Sequence, residues 1–398
     1  MVTARRAGND RIAALHILGR WYRAAALVLL NTLVLLVLVD AVLAAFFWIR
    51  DAYESEPVAA KHVADPAYTT LYPGYRLDDI VELWKESVPP LVYEPFVEFR
   101  EVARRGRYVN VAEAGFRLVK EQCPWPPEAG TYAIFAFGGS TTFGYGVADE
   151  DTWPSRLQEE LSRGDRRNRV CVYNFGQGNY YSSQERVLFE RLLESAHVPA
   201  MAIFMDGLND FCFTKDDTAS SERFTRALQG RESVVAIPWL DATLSRLALG
   251  RALQAVRKRL ARAPETASER DDDPVAIRHV IARYLANKRL VEGLARTFGI
   301  VPVFVWQPVP SYKYDLAHHP FAAGGFYSYT RSVYGYPAMA EVVRSDPPDG
   351  NFVWLADIQE ELHEPLYVDV AHYSPKFNAY LASELARRLP AHAVDRGP

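Results

Sequence analysis

A serine, an aspartate and a histidine in this chain have the types and the order needed for nucleophilic catalysis. Ser140 lies in the glycine-rich segment 137–144, and Asp369 and His372 form an Asp-x-x-His pair near the C-terminus. A serine hydroxyl is a poor nucleophile unless a base takes its proton and a third group orients that base. His372 can serve as the base and Asp369 as the group that orients it. The three residues therefore predict acyl transfer through Ser140.

Further residues suit the stabilisation of the negative charge that develops on the acyl oxygen. That oxyanion needs donors aimed in advance. The candidates are the Ser140 N–H, a backbone N–H of Gly178 or Asn179, and the side-chain amide of Asn209. The choice between Gly178 and Asn179 stays open, because asparagine tolerates left-handed backbone angles better than most residues. The alternative for Asn209 is an asparagine that only caps a turn.

Apolar runs precede most of these residues and predict the elements that position them. The runs 132–137, 170–173, 200–205 and 301–306 are short and predict buried strands. Amphipathic patterns predict helices over 149–161, 183–196 and 277–298, and a further helix begins near residue 376. Strands separated by helices indicate a mostly parallel sheet with helices on both faces. Ser140, Gly178 or Asn179, and Asn209 then lie at the carboxyl edge of that sheet, where such folds place ligands.

The chain resembles the SGNH, or GDSL-like, hydrolases in four ordered blocks. These are the Gly-rich turn with Ser140, the segment 174–179, Gly207-Leu208-Asn209-Asp210, and Asp369-x-x-His372. The resemblance covers about residues 105–390. It implies a three-layer α/β/α sandwich of the SGNH and flavodoxin-like type, and esterase activity that uses Ser140, Asp369 and His372 without a metal or a cofactor. One departure is the second block, where Asn179 stands at the place of the family's last glycine.

The N-terminal region predicts a membrane anchor. Residues 1–23 carry five arginines against one acid, and residues 24–49 are almost entirely apolar. This length and charge pattern predict a transmembrane helix with a cytoplasmic N-terminus and a catalytic domain in the periplasm or outside the cell. A cleaved signal peptide ending near 42–44 is the competing interpretation, which the length of the apolar run disfavours. Asp40 within the span is either protonated or turned toward the interface, or it contacts a partner membrane protein.

The remainder of the chain divides into a spacer and the enzyme. We interpret residues 50–105 as a spacer, because six prolines interrupt any long helix. Residues 77–84 can form a short helix within it, and residues 107–111, just after it, can form a small strand. Residues 106–390 form the hydrolase domain, with insertions near 215–275 and 311–340. The first insertion predicts a helix over 240–260. The second is rich in aromatic residues, which either line a substrate pocket or pack against one another.

Composition limits the partners and the function classes. The 398 residues are 49% hydrophobic and carry a net charge of −4, with no basic stripe beyond the N-terminus, so nucleic-acid binding is excluded. The three cysteines have no metal-ligand spacing, although two of them can form a disulfide. A phosphate-binding loop at 138–141 is excluded because it lacks the lysine. The sequence thus predicts an esterase for acylated small molecules or carbohydrates, including O-acetyl groups of surface polysaccharide. The alternatives are an O-acyltransferase with the same triad and a non-catalytic glycan-binding or assembly protein.

Overall fold

A computed structural model describes residues 2–54, 66–87, 91–163, 169–213, 248, 250, 252, 270–322 and 330–390. The chain divides into two compact units, Met1–Glu56 with Thr225–Ser268 and Pro57–Phe224 with Glu269–Pro398. Except for residues 248, 250 and 252, the predicted helix over 240–260 lies outside the described residues, as do most of the first insertion and Phe326, Tyr327 and Tyr329 of the second.

The first unit contains one long helix, α1 (Val2–Glu54). Its stretch Gly19–Ile49 has the length and composition of a membrane span and is near the N-terminus, as a signal sequence also is. No residue in the most apolar window of this stretch is buried inside the protein. The apolar N-terminal helix that the sequence predicts is therefore present, and it exposes leucine and valine side chains that water would not favour.

The second unit begins with short elements that, except for the last strand, lie in the predicted spacer. They are helices α2 (Pro66–Leu71) and α3 (Leu77–Ser87) and the antiparallel hairpins β1 (Leu91–Glu94) with β2 (Glu98–Glu101) and β3 (Arg104–Arg105) with β4 (Asn110–Val111). Tyr68, Leu83 and Trp84 are buried against Phe143 and Val368 of the catalytic region. Each fully buried large apolar side chain contributes about 1.5–3 kcal/mol. This part of the predicted spacer is thus a structural part of the domain.

The centre of the second unit is a five-stranded sheet in which all strands are parallel. The strands are β5 (Tyr132–Gly138), β6 (Val170–Asn174), β7 (Met201–Asp206), β8 (Val301–Trp306) and β9 (Phe352–Trp354), in the spatial order β6-β5-β7-β8-β9. Every residue of β5, β6 and β7 is buried, as strands covered on both faces require. Strand β9 has only three residues and was not predicted.

Helices cover both faces of this sheet. They are α4 (Ser140–Phe143), α5 (Trp153–Ser162), α6 (Ser182–Glu194), α7 (Pro274–Phe298), α8 (Ser332–Ser345) and α9 (Pro375–Arg388). Ile134 on one face of β5 packs in a core with residues of α5 and α9, whereas Phe135 on the other face packs with residues of α6 and α7. Successive side chains of a strand point to opposite faces, so one strand supplies both cores. The fold is the expected α/β/α sandwich.

The predicted helix over 149–161 divides into two elements. Asp149–Asp151 forms a 3-10 turn, and α5 begins only at Trp153. The Thr152 hydroxyl accepts the Ser155 N–H and caps α5, and Pro154 occupies the first turn, where its missing N–H costs no hydrogen bond. The acidic residues that suggested one continuous helix over 149–161 therefore precede α5.

A disulfide joins Cys123, in the loop before β5, to Cys171 in β6, and Cys212 is not part of it. Both bonded cysteines are buried in the core that also contains Phe135. Cys171 is thus more than the small apolar residue that its position in a strand suggests.

Candidate active site

Ser140 lies at the junction between β5 and α4. The strand ends at Gly138 and the helix begins at Ser140, with Gly139 as its N-cap. A Cβ atom on Gly139 would lie 2.2 Å from Nδ2 of Asn209, so only glycine allows the third block to approach the serine this closely. The hydroxyl is held at the carboxyl edge of the sheet, as predicted.

Arg117 binds the C-terminal end of α4, the short helix that begins with Ser140. Its fully buried guanidinium donates to the carbonyls of Phe143, Gly144 and Val147 at 2.9, 2.5 and 2.6 Å. These carbonyls at and beyond the end of α4 would otherwise need other donors. The same guanidinium pairs with Asp149 at 2.8 Å, which partly offsets the cost of burying both charges.

The structure brings Ser140, His372 and Asp369 together in one hydrogen-bonded line. Nε2 of His372 lies 2.8 Å from the Ser140 hydroxyl, and Nδ1 lies 2.6 Å from Oδ2 of Asp369. An ionised carboxylate only accepts, so Nδ1 carries the proton and the lone pair of Nε2 faces the serine. This is the geometry in which a histidine can take the proton of a serine.

A tight turn in the segment between β9 and α9 holds Asp369 and His372 in place. The Val368 N–H donates to the His372 carbonyl at 2.8 Å, which closes the loop. The other oxygen of Asp369 accepts the N–H groups of Ala371 and His372 at 2.9 and 2.8 Å. Burial acts to raise the pKa of the Asp369 carboxyl, but the His372 imidazole and these two donors outweigh it and hold that pKa below its usual value.

The proposed oxyanion donors lie around the same serine. Nδ2 of Asn209 donates to the Tyr180 carbonyl at 2.7 Å, which places the amide beside Gly139. Asn179 adopts the left-handed conformation, with φ of 62°. That conformation is the one that its position in place of a glycine requires. In the second block, Asn174 donates to the Thr142 carbonyl at 2.8 Å and so ties the block to α4.

The chain matches a family model at residues 136–320, described as the GDSL-like Lipase/Acylhydrolase family. The match begins in β5, includes Ser140 and the second and third blocks, and ends before Asp369 and His372, which the fold brings to the same site. The chain contains a GDSL-like lipase/acylhydrolase domain. This domain places the protein among hydrolases that act on ester bonds.

Several solved structures match about two thirds of this chain. One is the lipase/acylhydrolase from Enterococcus faecalis, at 14% identity and a TM-score of 0.35, covering 67% of this chain and 100% of that one. Another is the lipase Lip_vut3 from a goat rumen metagenome, at 12% identity and a TM-score of 0.40, covering 66% of this chain and 100% of that one. A third is the acetyl xylan esterase AlAXEase, at 11% identity and a TM-score of 0.35, covering 65% of this chain and 100% of that one. No curated protein matches the chain at a significant level.

A second network in the GDSL-like domain connects the histidine with the second block. The Tyr145 hydroxyl donates to Glu101 at 2.7 Å, and the Tyr145 ring lies 5.3 Å from the His372 ring. The Gly178 N–H interacts with the Glu101 carboxylate and favours its ionised form. Burial nevertheless raises the pKa of Glu101 above its usual value. Because Gly178 is turned toward Glu101, Asn179 is the better placed of the two proposed backbone donors.

Three carboxyl groups are buried behind the Asn209 turn. Asp210 accepts the Ser182 hydroxyl at 2.6 Å and lies near Arg283, and Glu185 and Asp206 interact side chain to side chain. Burial, and then the negative charges of Asp206 and Asp210, raise the pKa of Glu185 well above its usual value. These contacts indicate that Asp206 and Asp210 support the loop after β7.

The described aromatic residues of the second insertion mostly pack into the protein. Tyr314, Phe321 and Tyr336 are buried in three different core clusters, and only Tyr334 is exposed among the large aromatics there. For these residues the packing interpretation holds. Sequence reasoning missed Arg117, Glu101 and Tyr145, which contact the candidate site or the elements that carry it. Tyr145 follows the serine block directly and offered some signal, whereas Glu101 lies in the predicted spacer and offered none.

Proposed function

We propose that this protein is a membrane-anchored serine esterase that removes ester-linked acyl groups through an acyl-serine intermediate. The observation that carries the proposal is the 2.8 Å contact between Ser140 Oγ and Nε2 of His372, with Asp369 on the other ring nitrogen. The family match supports ester hydrolysis but does not extend to the histidine.

The first half of the proposed reaction acylates the serine. His372 takes the Ser140 proton while Oγ bonds to the acyl carbon, and the carbonyl electron pair moves onto the oxygen. The N–H groups of Ser140 and Asn179 and the amide of Asn209 stabilise that oxyanion, and Asp369 stabilises the imidazolium. The bond to the leaving alcohol then breaks, and His372 returns the proton to the alkoxide.

The second half releases the acyl group. Water gives a proton to His372 and attacks the acyl-serine. When the second tetrahedral intermediate collapses, the bond from the acyl carbon to Oγ breaks, His372 returns the proton to Oγ, and a carboxylic acid and free Ser140 result. A sugar hydroxyl in place of water would give acyl transfer by the same steps. We propose water as the acceptor, and the products separate the two: free acetate from hydrolysis, an acetylated sugar from transfer.

The proposed location is the periplasm or the cell exterior, with the N-terminus in the cytoplasm. Five arginines in residues 1–23, before the apolar run 24–49, support this orientation. The Cys123–Cys171 disulfide supports an oxidising compartment. O-acetyl groups of surface polysaccharide are the substrate class that fits such a location. A reporter that works only in the periplasm, fused after Pro398, should be active, and a mature N-terminus near Ala45 would instead show a cleaved signal peptide.

Labelling with a fluorophosphonate tests the proposed nucleophile directly. The wild-type protein should be labelled and should hydrolyse 4-nitrophenyl acetate. Ser140→Ala should abolish labelling, and Ser140→Ala, His372→Ala and the double variant should lose similar activity, by several orders of magnitude, because the members act as a unit. Ser345→Ala, on an exposed helix end, is the matched control and should behave as wild type. Substantial turnover by Ser140→Ala would refute the mechanism, and a wild type without turnover would favour a non-catalytic protein.

A further inference from the structure

Two loops beside the candidate active site carry side chains suited to a transition-metal ion. Asp315 and His318 lie at a 3-10 turn after β8, and His363 lies between β9 and α9. The ligand-capable atoms of the three residues all lie within 4.8 Å of one another, and the rings of the two histidines are 5.8 Å apart. The three side chains are at least partly exposed, so an ion can reach them from solvent.

The fold itself holds these two loops together. The hydroxyl of the buried Tyr314 lies 3.1 Å from the His318 carbonyl and 2.8 Å from the Glu364 carbonyl. It therefore connects the backbone next to both histidines. Asp315 is fixed as well, because its Oδ1 accepts the Ala317 N–H at 2.9 Å. The backbone positions of all three residues are thus set before any ion binds, which reduces the entropy cost of binding.

The distances suit a zinc-like ion. Zn²⁺ with ligands at 2.0–2.1 Å has neighbouring ligand atoms about 3.3 Å apart in a tetrahedral arrangement. Nε2 of His318 and Oδ2 of Asp315 are 3.7 Å apart, and a ring nitrogen of the exposed His363 lies within 4.8 Å of a ligand atom of each. Two imidazoles and one carboxylate are ligands that zinc accepts, and the fourth position is left for water.

The surrounding charges do not oppose a cation. The two lysines beside these loops are already paired, Lys313 with Glu360 and Lys376 with Glu364. A simpler interpretation is that Asp315 and His318 form only an ion pair when the histidine is protonated. That pair would not include His363, whereas a metal site requires it.

We propose that Asp315, His318 and His363 bind one divalent transition-metal ion of the zinc class. The ion joins the loop after β8 to the loop that leads into the candidate triad. His319, next to His318, stacks on Tyr367 at 5.3 Å, two residues before Asp369. The ion is therefore a structural brace for the Asp369–His372 loop and takes no part in bond making. The proposal does not depend on esterase activity.

Metal titration of the full-length, tag-free protein in detergent, after treatment with a chelator, tests the site. Co²⁺ should bind one per chain, give visible absorption bands and be displaced by Zn²⁺. His318→Ala and His363→Ala should each weaken Zn²⁺ binding about tenfold or more, measured against a chromophoric chelator, because even indirect metal partners have effects of this size. His279→Ala, which removes an exposed histidine on α7, is the matched control and should bind as wild type. Zn²⁺ should also raise the Tm of the wild type and of His279→Ala, but not of His363→Ala.

Two results would overturn the proposal. One is a wild-type protein that binds neither ion. The other is a His363→Ala variant that binds Zn²⁺ as tightly as the wild type, which would assign the binding to other groups. A His318→Ala variant weakened to the same degree as His363→Ala supports one shared ion. None of these readouts uses ester turnover, so the outcome is separate from that of the esterase proposal.

Discussion

The side chain of Tyr145 contacts His372 with its ring and Glu101 with its hydroxyl. The ring centroids are 5.3 Å apart, and the hydroxyl donates to Oε1 of Glu101 at 2.7 Å. Glu101 in turn interacts with the Gly178 N–H, next to Asn179. One tyrosine therefore connects the proposed base with the segment that carries a proposed oxyanion donor.

Tyr145→Phe should lower both turnover and stability. The ring contact with His372 remains, but Glu101 loses a donor and the Gly178–Asn179 turn loses its fixed position. A misplaced catalytic group costs up to about 10²-fold in rate, so we expect a fall in kcat of about tenfold. Loss of the hydrogen bond should lower the free energy of unfolding by about 1–3 kcal/mol. Steady-state kinetics and denaturant unfolding on one preparation measure both.

Tyr108→Phe is the matched control. The Tyr108 hydroxyl also donates to a carboxylate, that of Asp79, at 2.9 Å, but Asp79 lies on α3 and not beside the candidate site. It should lose stability without a change in kcat. Equal kinetic effects of the two substitutions would contradict a positioning role for Tyr145.

Arg117→Met should destabilise the domain strongly. The substitution keeps much of the side-chain volume but removes the donors to three carbonyls and leaves the buried Asp149 without its partner. Removing one partner of a buried ion pair costs about 3–5 kcal/mol. Denaturant unfolding should therefore show a markedly lower midpoint.

A partly exposed arginine provides the comparison for Arg117. Arg156 pairs with Asp151 and Glu159 but is about 29% exposed. Arg156→Met should cost about 1 kcal/mol or less, because water screens such pairs. If both variants unfold at the same denaturant concentration, Arg117 does not have the structural role that its contacts indicate.

Much of the sheet could be predicted because its strands are continuous apolar runs. Strand β8 has the bounds that the sequence predicts, and α7 ends at Gly299, whose φ of 70° suits glycine. Strand β9 was missed because three residues are too few for a pattern to appear. Helix α8 was missed because Pro337 lies inside it and its aromatic residues suggested a loop.

The residues of the candidate site that follow strands were predictable. The residues that hold them in position, such as Glu101 and Arg117, were not. Ser140 and Asn209 stand directly after apolar runs, so their place at the sheet edge follows from the pattern. Glu101 and Arg117 act through contacts with residues distant in sequence, and nothing local distinguishes a buried ion pair from a surface charge. Prolines around α2 and α3 likewise suggested a spacer, because burial of Tyr68 and Leu83 depends on a surface that forms elsewhere in the chain.

Glu185→Gln should change how stability depends on pH. Burial raises the pKa of Glu185, so the folded protein holds a proton that the unfolded chain releases above about pH 4.5. The stability that this proton provides is present at low pH and is lost as pH rises through the folded pKa, with a slope of up to about 1.4 kcal/mol per pH unit. Glutamine does not titrate, so the Tm difference between variant and wild type should move in favour of the variant as pH rises. Calorimetry at about pH 5 and about pH 8 measures it.

Glu194→Gln is the control for the pH experiment. Glu194 is exposed at the end of the same helix, α6, so its substitution should shift Tm equally at both pH values. A Glu185→Gln effect that is also the same at both pH values would show that Glu185 is ionised in the folded protein.

Asn209→Ala should lower kcat with little change in KM. One amide hydrogen of Asn209 is used by the Tyr180 carbonyl at 2.7 Å, and the other is left for an acyl oxygen on Ser140. A donor that acts only as negative charge develops affects the transition state and not substrate binding. Removing one such donor costs about 10²–10³ in kcat. The lost contact with Tyr180 should also lower the free energy of unfolding by about 1 kcal/mol.

Asn351→Ala separates the catalytic role of Asn209 from a structural one. Nδ2 of Asn351 donates to Glu292 at 2.8 Å in a partly buried position before β9, so this variant should lose similar stability. Its kcat should stay within a few fold of the wild type, because no catalytic group depends on it. Tm and kcat measured on the same preparations of both variants give the comparison. If Asn209→Ala is destabilised but turns over at a near-normal rate, Asn209 only holds the turn after β7, and the oxyanion must depend on the backbone donors.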